Sequence, residues 1–325
     1  MPQSNVYLGI DVGSVSTKFA LLDEADNLVA SIYLRTEGQP IVSIQHGLKQ
    51  MSAAVSNDMR IAGVATTGSA RYLAGVLLNA DLVKNEISCQ AAAALRFDPD
   101  AATVIEIGGQ DSKIIIIRDG AVADMGMNTV CAAGTGSFLD QQAQRMNMQI
   151  EDFGAEALKS SRPVQIAGRC AVFAETDMIH KQQTGHSRPD IIKGLCRALA
   201  RNYLSNIATG KEIRPPVVFQ GGVALNRGMV LALEEALGVS VSVPPYPGLT
   251  GAIGAALIVH GALKSREKTT SFNGFDVADA ALSASSFECG GCESLCEISQ
   301  VLNSDKVIAR WGGQCDMWEE EDRII

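Results

Sequence analysis

Aromatic residues, histidine and charge are all scarce in this sequence of 325 residues. Phe, Tyr and Trp together make up 5 % of it, there are four histidines, and charged residues reach 19 %. So little charge beside 46 % hydrophobic residues excludes a disordered chain and provides enough apolar material for a sizeable core. The length favours two packed lobes over a single domain.

Positive charge is in deficit. Lysine and arginine number 27 against 36 aspartates and glutamates, which gives a net charge of −9. A general binder of nucleic acid or of an anionic membrane surface needs a positive field. The balance therefore predicts neither a nucleic-acid partner nor a membrane partner.

Long apolar runs are missing as well. The most apolar stretch, residues 251–263, is too short to span a bilayer and contains His260. The first residues show no basic region followed by an apolar run, so we expect no signal peptide and a cytoplasmic protein. In that compartment the eight cysteines are expected to be thiols or metal ligands rather than disulfides.

Glycine, by contrast, is abundant, and it marks an internal repeat. Residues 10–18 (IDVGSVSTK) match residues 105–113 (IEIGGQDSK) at an offset of 95 positions. Each copy reads as an apolar strand, an acidic residue, a glycine turn, a lysine and a second apolar strand. A turn and a third short strand are expected after each copy. A period of this length indicates a duplicated α/β lobe and not a solenoid.

The rest of the chain alternates strand and helix patterns. The patterns predict strands at 61–66, 217–219 and 239–243, and helices at 89–95, 136–146, 170–182, 190–207, 226–237 and 251–263.

The glycine turns suit phosphate binding. A turn of glycine and small residues exposes several backbone N–H groups in a small volume, and such a nest binds phosphate oxygens without positive side chains. Two copies facing each other would hold a polyphosphate from both sides. The neighbouring Asp11 and Glu106 are expected to hold Mg²⁺ through water or to orient an attacking water. A third turn at 220–223 suits a ribose or adenine edge, although each glycine taken singly also fits a plain tight turn.

Four features resemble the actin/Hsp70/sugar-kinase superfamily of two-lobed ATPases: the two turns, the Gly-Gly pair at 221–222 before a helix, and the closing segment 251–256 (GAIGAA). The resemblance implies an α/β class fold, a duplicated actin/Hsp70-like (RNase H-like) architecture that binds ATP or ADP with Mg²⁺. It places Glu106 where the family usually has Asp, and the extra methylene would shift the Mg²⁺ or the water. The candidate nucleotide ligands are Gly13, Ser14, Ser16, Thr17, Lys18, Gly108, Gly109, Gln110, Asp111, Gly134, Gly221, Gly222, Asn226 and Gly251.

Two cysteines stand before helical runs. A thiol at a helix amino terminus has a lowered pKa because the helix dipole stabilises the thiolate. The same dipole favours an anionic iron–sulfur cluster at Cys131 and Cys170. A [4Fe–4S] cluster needs about four thiolates, and a two-fold dimer with two from each chain is the economical source. The residues alone leave three other roles open for these two cysteines. They could be buried structural residues, a redox disulfide or a catalytic cysteine.

Segments 128–139 (NTVCAAGTGSFL) and 170–175 (CAVFAE) resemble the activators of 2-hydroxyacyl-CoA dehydratases and the ATPase subunits of benzoyl-CoA reductase. This resemblance implies a homodimer that shares one [4Fe–4S] cluster through Cys131 and Cys170. It also implies that ATP hydrolysis drives one-electron reduction of a partner iron–sulfur dehydratase or reductase, with ferredoxin or flavodoxin as the electron donor. A small-molecule kinase of the sugar type is the alternative on the same fold, and a nucleotide-dependent binding protein is a third.

The carboxyl-terminal segment carries a second group of cysteines. The spacing of this group is Cys-x2-Cys-x3-Cys-x18-Cys, formed by Cys289, Cys292, Cys296 and Cys315. It leaves three alternatives open: a second iron–sulfur cluster, a zinc site or no metal. The tail resembles a segment of longer relatives, among them reductases that serve double-cubane-cluster proteins. The expected organisation is a first ATPase lobe at 1–98, a second at 99–248 with the cluster-ligand helices, a closing helix at 249–263, a linker at 264–286 and a Cys-rich module at 287–325.

Overall fold

The computed structural model describes residues 3–128, 132–168, 170–264, 269–304 and 306–318. These residues form strands that share three sheets. The strands are β1 Ser4–Val12, β2 Ser16–Asp23, β3 Leu28–Arg35, β4 Met59–Thr67, β5 Leu82–Val83, β6 Thr103–Ile107, β7 Ser112–Arg118, β8 Ala121–Asn128, β9 Val217–Gln220, β10 Val241–Ser242, β11 Leu282–Glu288, β12 Glu297–Asn303 and β13 Lys306–Trp311.

Helices connect the strands and cover the sheets. They are α1 Pro40–Ala54, α2 Arg71–Leu78, α3 Glu86–Phe97, α4 Gly136–Arg145, α5 Ile150–Ala157, α6 Ala171–Gln183, α7 Arg188–Asn206, α8 Arg227–Leu237 and α9 Thr250–Lys264. The chain divides into two compact units, one made of Met1–Asn85 with Ala255–Ile325 and the other of Glu86–Gly254. No helix in the described residues is both long enough and apolar enough to cross a bilayer.

The first unit contains a five-stranded sheet in the order β3-β2-β1-β4-β5. Strands β1, β2 and β3 form an antiparallel meander, and β4 adds to β1 in parallel. Buried residues run almost continuously along β1 and β2, so both faces of these strands are covered. Helix α1 lies close to the sheet: a Cβ on Gly47 would fall 2.0 Å from the Phe19 ring, so the close approach requires glycine there.

The second unit repeats this topology with the sheet order β10-β9-β6-β7-β8. Strands β6, β7 and β8 form the same antiparallel meander, and β9 adds to β6 in parallel. Glu106 is paired with Lys113 across β6 and β7, as Asp11 is paired with Lys18 across β1 and β2. The duplication predicted from residues 10–18 and 105–113 is therefore confirmed.

The three-stranded sheet β11-β12-β13 belongs to the first unit. Val301 and Ile308 are buried in the same apolar cluster as Ile44 of α1. The Gln45 side chain donates hydrogen bonds to the carbonyls of Val277 and Ala280, at 3.2 and 2.8 Å. The described part of the segment predicted to be a linker thus contains a 3-10 turn, packed contacts and the start of β11.

Candidate functional site

The first hairpin turn is built around Asp11, at the end of β1. Its carboxylate lies 3.0 Å from the Lys18 ammonium on β2. The Gly13 N–H donates to the Ser16 carbonyl at 3.0 Å, which closes the turn. Ser14 is exposed at the tip of the turn, where backbone and hydroxyl groups are accessible.

Thr36, which directly follows β3, supports this turn. Its hydroxyl donates to the Gly13 carbonyl at 2.8 Å and lies 3.0 Å from the Thr17 hydroxyl. Thr17, one of the predicted nucleotide ligands, is fully buried. It therefore lies beneath the turn and not at its surface. Sequence reasoning missed Thr36, because nothing in the spacing relates it to the turn.

The end of β4 adjoins the same carboxylate. Gly68 has φ +93°, and a Cβ there would lie 2.4 Å from the Val12 carbonyl and 2.6 Å from Asp11 Oδ1. Glycine is therefore required beside Asp11 for both its backbone conformation and the space. Thr67 Oγ1 is buried and has no hydrogen-bond partner among the described residues, and Ser69 Oγ lies 3.3 Å from Ser14 Oγ. In the sequence, the signal for these groups is a strand pattern that ends in Thr-Gly-Ser at residues 67–69.

The second hairpin turn holds a buried charge cluster. Lys113 is 3 % exposed, and its ammonium lies 3.2 Å from Glu106, 2.8 Å from Asp111 and 2.8 Å from Glu86. Burial raises the pKa of Glu106 to about 7, against the lowering effect of Lys113 and with the carboxylates of Asp111 and Glu86 adding to the rise. Burial opposes the charge on Lys113, but the three carboxylates outweigh it and raise the pKa of that ammonium. Sequence reasoning missed Glu86, which lies 27 residues before its partner Lys113 in a different element.

Helix α4 begins against this second turn. The Gly108 N–H donates to the Asp111 carbonyl at 3.0 Å, while the Gly108 carbonyl accepts from the Gly136 N–H at 2.8 Å. The Gly109 carbonyl accepts from both the N–H and the hydroxyl of Ser137, at 2.9 and 2.6 Å. The exposed Gln110 remains at the tip of the turn.

Gly134 lies deeper than the turn. It is buried, and a Cβ there would fall 2.9 Å from Asn202 Oδ1 and 3.0 Å from Asn128 Nδ2. The packing of the second unit therefore already accounts for a glycine at this position.

The third turn follows β9 in the second unit. Gly221 has φ +86°, and a Cβ there would lie 2.3 Å from the Ile107 carbonyl and 2.9 Å from Glu106 Oε1. This glycine therefore brings the third turn against the second hairpin. A Cβ on Gly222 would meet no atom within 4 Å in the part of the chain that the structure describes. Gln220 Nε2 donates to Gln90 Oε1 at 2.9 Å, and Gln220 Oε1 is buried without a partner in the described part of the chain.

Asn226 and Gly251 are each positioned at the start of a helix. The Asn226 side chain caps α8 by accepting from the Met229 N–H at 3.1 Å, while its Nδ2 is buried and unpaired among the described residues. Gly251 is buried in the first turn of α9.

Within each unit, the polar groups of the turns suit phosphate and Mg²⁺. Exposed turn backbone lies beside carboxylates, and buried atoms without a hydrogen-bond partner among the described residues are available for water or ligand at Thr67 in the first unit and at Gln220 and Asn226 in the second. In both hairpins the lysine is already engaged by carboxylates. Phosphate binding by these turns would therefore rest mainly on backbone N–H groups.

Of the two predicted cluster cysteines, Cys131 lies outside the described residues. Cys170 is the N-cap residue of α6 and is half-buried. The first turn of α6 carries no acidic residue, and Val172 and Phe173 within it are 68 % and 67 % exposed. An anionic cluster ligand fits this position, because the thiol meets the positive end of the helix dipole without a nearby carboxylate in that turn.

No three His, Cys, Asp or Glu side chains within the ranges that the structure describes are grouped so as to hold a metal ion. The four tail cysteines are nonetheless all described. Cys289 is buried, Cys296 is half-buried, and Cys292 and Cys315 are exposed.

Comparison with known proteins gives consistent matches. The sequence model of the BadF/BadG/BcrA/BcrD ATPase family matches residues 8–259. The (R)-2-hydroxyglutaryl-CoA dehydratase activating ATPase of Acidaminococcus fermentans is 37 % identical over 257 residues, which cover 78 % of this chain and 96 % of that protein. The crystal structure of that dehydratase's component A superposes with a TM-score of 0.72, over 80 % of this chain and 99 % of the other.

A second solved structure is similar to the same extent. The activator of 2-hydroxyisocaproyl-CoA dehydratase from Clostridium difficile, with bound ADPNP, has a TM-score of 0.74 at 31 % identity and covers 80 % of this chain and 96 % of that one. The predicted actin/Hsp70-like ATPase fold is thereby confirmed. The match uses nearly the whole of both relatives, and the family model ends at residue 259, before the cysteine-rich tail.

Proposed function

Since this chain belongs to the BadF/BadG/BcrA/BcrD ATPase family, we propose that it is an ATP-driven activator that transfers one electron to a partner iron–sulfur enzyme. The observation that carries the proposal is Cys170, which caps α6 with a partly accessible thiol beside an exposed apolar surface. A metabolite kinase has no use for such a position. The relatives at 31–37 % identity are named as activators, so the kinase alternative is not favoured.

ATP with Mg²⁺ is the proposed nucleotide. The turn residues around Gly13, Gly108 and Gly221 would supply backbone donors to phosphate and ribose. Asp11 and Glu106 would hold the Mg²⁺ through water and orient the attacking water, and the metal would neutralise charge on the phosphates. The excess of carboxylate around Lys113 favours a divalent cation nearby.

A [4Fe–4S] cluster bound by Cys131 and Cys170 from each of two copies is the proposed redox centre. Cys170 supports it by its position, and the exposed Val172 and Phe173 support a surface between copies because large apolar side chains are costly to leave in water. The cluster would supply low-potential one-electron chemistry. The chain's own contribution is to stabilise the thiolates and to shield them from solvent.

The electron would come from a reduced ferredoxin or flavodoxin and pass to a dehydratase or reductase that itself contains an iron–sulfur cluster. Relatives named as activators of 2-hydroxyglutaryl-, 2-hydroxyisocaproyl- and lactoyl-CoA dehydratases support a partner of this class. One of the subunits of benzoyl-CoA reductase from Thauera aromatica, 29 % identical to this chain, extends the class to reductases.

The test is to purify the chain without oxygen and to measure iron, sulfide, ATP hydrolysis and reduction of a dehydratase or reductase partner. We expect Cys131→Ala and Cys170→Ala to lose iron and partner reduction while they retain nucleotide binding. Cys292→Ser, which removes a thiol from the tail, is the matched control. It should retain both the iron and the reduction of the partner. Partner reduction that persists in the Cys131→Ala and Cys170→Ala variants would refute the proposal.

A further inference from the structure

The small carboxyl-terminal sheet brings its cysteines to one end. Strands β11 and β12 pair Glu288 with Glu297, and one residue further the Cys289 N–H donates to the Cys296 carbonyl at 2.8 Å. These two cysteines therefore lie directly opposite each other across the hairpin. Cys292 lies in the loop that joins them.

The chain returns to the same end after β13. Gly312 has φ +108°, and a Cβ there would lie 2.5 Å from the Glu297 carbonyl, so only glycine allows the backbone to turn back at this point. Cys315 follows three residues later. The Trp318 indole N–H then donates to Cys289 Sγ at 3.1 Å, and Met317 Sδ lies 3.3 Å from the Cβ position of Gly291. The segment carrying Cys315 is thus packed on the loop carrying the other cysteines.

Two of the sulfur atoms are surrounded by hydrogen-bond donors. Cys289 is 6 % exposed, and its sulfur accepts from the Gly291 N–H at 3.4 Å as well as from Trp318. Backbone and hydroxyl donors of Ser294 face the sulfur of Cys292. Donors directed at sulfur favour the thiolate over the thiol, and the thiolate is the form that binds metal.

We propose that Cys289, Cys292, Cys296 and Cys315 bind a single zinc ion as a tetrahedral tetrathiolate site. The hairpin sets Cys289 and Cys296 opposite each other, but the sulfur atoms are not grouped as metal ligands in the described residues, so binding of the ion would require the side chains to rotate about their Cα–Cβ bonds. This site is separate from the segment matched by the family model, which ends at residue 259.

The spacing of the cysteines favours one ion over an iron–sulfur cluster. Residues opposite each other in a hydrogen-bonded antiparallel pair have Cα atoms about 5.5 Å apart. A tetrahedral ion with Zn–S bonds of about 2.3 Å places its sulfurs about 3.8 Å apart, which suits the Cys289–Cys296 pair. In a [4Fe–4S] cluster each cysteine binds a different iron, so the sulfurs are spread more widely.

The ion would add a cross-link to a sheet with few buried residues of its own. Ile298, Val301 and Ile308 are buried in it, and Val301 and Ile308 share their apolar cluster with Ile44 of α1. Zinc would join the β11–β12 loop to the segment after β13. Because zinc has no redox chemistry, the site would hold structure and would not carry electrons.

The experiment uses the full chain purified without oxygen, with zinc, iron and sulfide measured per chain. We expect about one zinc per chain. Cys292→Ser and Cys315→Ser should each remove that zinc and leave the iron content unchanged. Cys170→Ser is the matched control and should retain the zinc. If the tail variants retain zinc, or lose iron and sulfide instead, the proposal is wrong.

Cobalt substitution provides a readout that does not depend on stability. After chelation, Co²⁺ added to the wild-type chain should give the sulfur-to-cobalt charge-transfer bands and intense visible bands of a tetrahedral tetrathiolate. Cys292→Ser should weaken both, while Ser294→Ala should retain them. Octahedral cobalt spectra in the wild-type chain would overturn the assignment.

Discussion

The Lys113 ammonium lies 3.2 Å from a carboxylate oxygen of Glu106 in a site where both side chains are almost completely buried. The equivalent pair in the first unit, Lys18 and Asp11, is 3.0 Å apart but more accessible. Glu106 shares its lysine with the carboxylates of Asp111 and Glu86. Burial in this cluster raises the pKa of Glu106 to about 7, so this carboxylate titrates near neutral pH.

Glu106→Gln should change how stability depends on pH. The pKa of Glu106 is raised from 4.5 to about 7, so between these values the folded state holds a proton that the unfolded state has lost. The unfolding free energy of the wild-type chain therefore falls as the pH rises through this range. Glu106 contributes about 3 kcal/mol to this fall. The variant lacks that loss, so its unfolding free energy relative to wild type should increase between pH 5 and pH 8.

Denaturant unfolding at both pH values measures this difference. Glu86→Gln is the control, because it removes a partly exposed carboxylate from the same ammonium. It should leave most of the pH dependence in place. An equal difference between Glu106→Gln and wild type at the two pH values would show that Glu106 does not titrate in this range.

Gly68→Ala should destabilise the first unit and weaken nucleotide binding. The added Cβ would meet the Val12 carbonyl and Asp11 at less than 3 Å, in a left-handed backbone conformation. We expect a loss of about 1–3 kcal/mol in unfolding free energy, together with weaker nucleotide binding as Asp11 is displaced. Calorimetry of unfolding and of nucleotide binding measures both.

Gly38→Ala is the matched control for this variant. Gly38 has φ +71°, but a Cβ there meets no atom of the described residues within 4 Å. Gly38→Ala should lose only the unfolding free energy that a left-handed backbone conformation costs an alanine, and it should bind nucleotide normally. Equal effects of the two variants on binding would refute the role assigned to the space beside Asp11.

Thr67→Val tests whether the unpaired hydroxyl at the end of β4 serves the nucleotide. Removing a buried hydroxyl that has no partner among the described residues should be neutral or slightly stabilising. If the hydroxyl meets ligand or its water, the nucleotide Kd should rise about tenfold, which corresponds to about 1.4 kcal/mol. Ser43→Ala removes another buried hydroxyl of the same unit that has no hydrogen-bond partner in the described part of the chain, and it should leave the Kd unchanged. An unchanged Kd in Thr67→Val would contradict the prediction.

Much of the fold was predictable because its signals are local. The strand–turn–strand repeats at 10–18 and 105–113 and the later helices follow from glycine turns and apolar periodicity. Helix α1 was not predicted: its N-cap Gln39 makes no side-chain capping bond, and its first turn carries no acidic residue. Its position becomes clear only from the contact between Gly47 and Phe19, which are 28 residues apart.

The site was predictable only in part, for a related reason. Asp11 and Glu106 stand out because they recur in register. Glu86 and Thr36 reach the same turns from other elements, and no spacing in the sequence connects them to those turns. The buried surroundings that raise the pKa of Glu106 depend on these tertiary contacts.

Phe173→Asp should separate the copies of this chain without affecting its nucleotide chemistry. Phe173 lies in the first turn of α6, three residues after Cys170, and is 67 % exposed in the single chain. If two copies meet there around a shared cluster, a carboxylate would be desolvated beside an anionic group, which is strongly unfavourable. Native mass under anaerobic conditions should fall to that of one chain, with iron lost in parallel and nucleotide binding retained. Leu158→Asp, a change at another exposed apolar residue of the same unit, should leave mass and iron unaltered. A Phe173→Asp protein that keeps its iron and its dimeric mass would rule out this surface as the contact between copies.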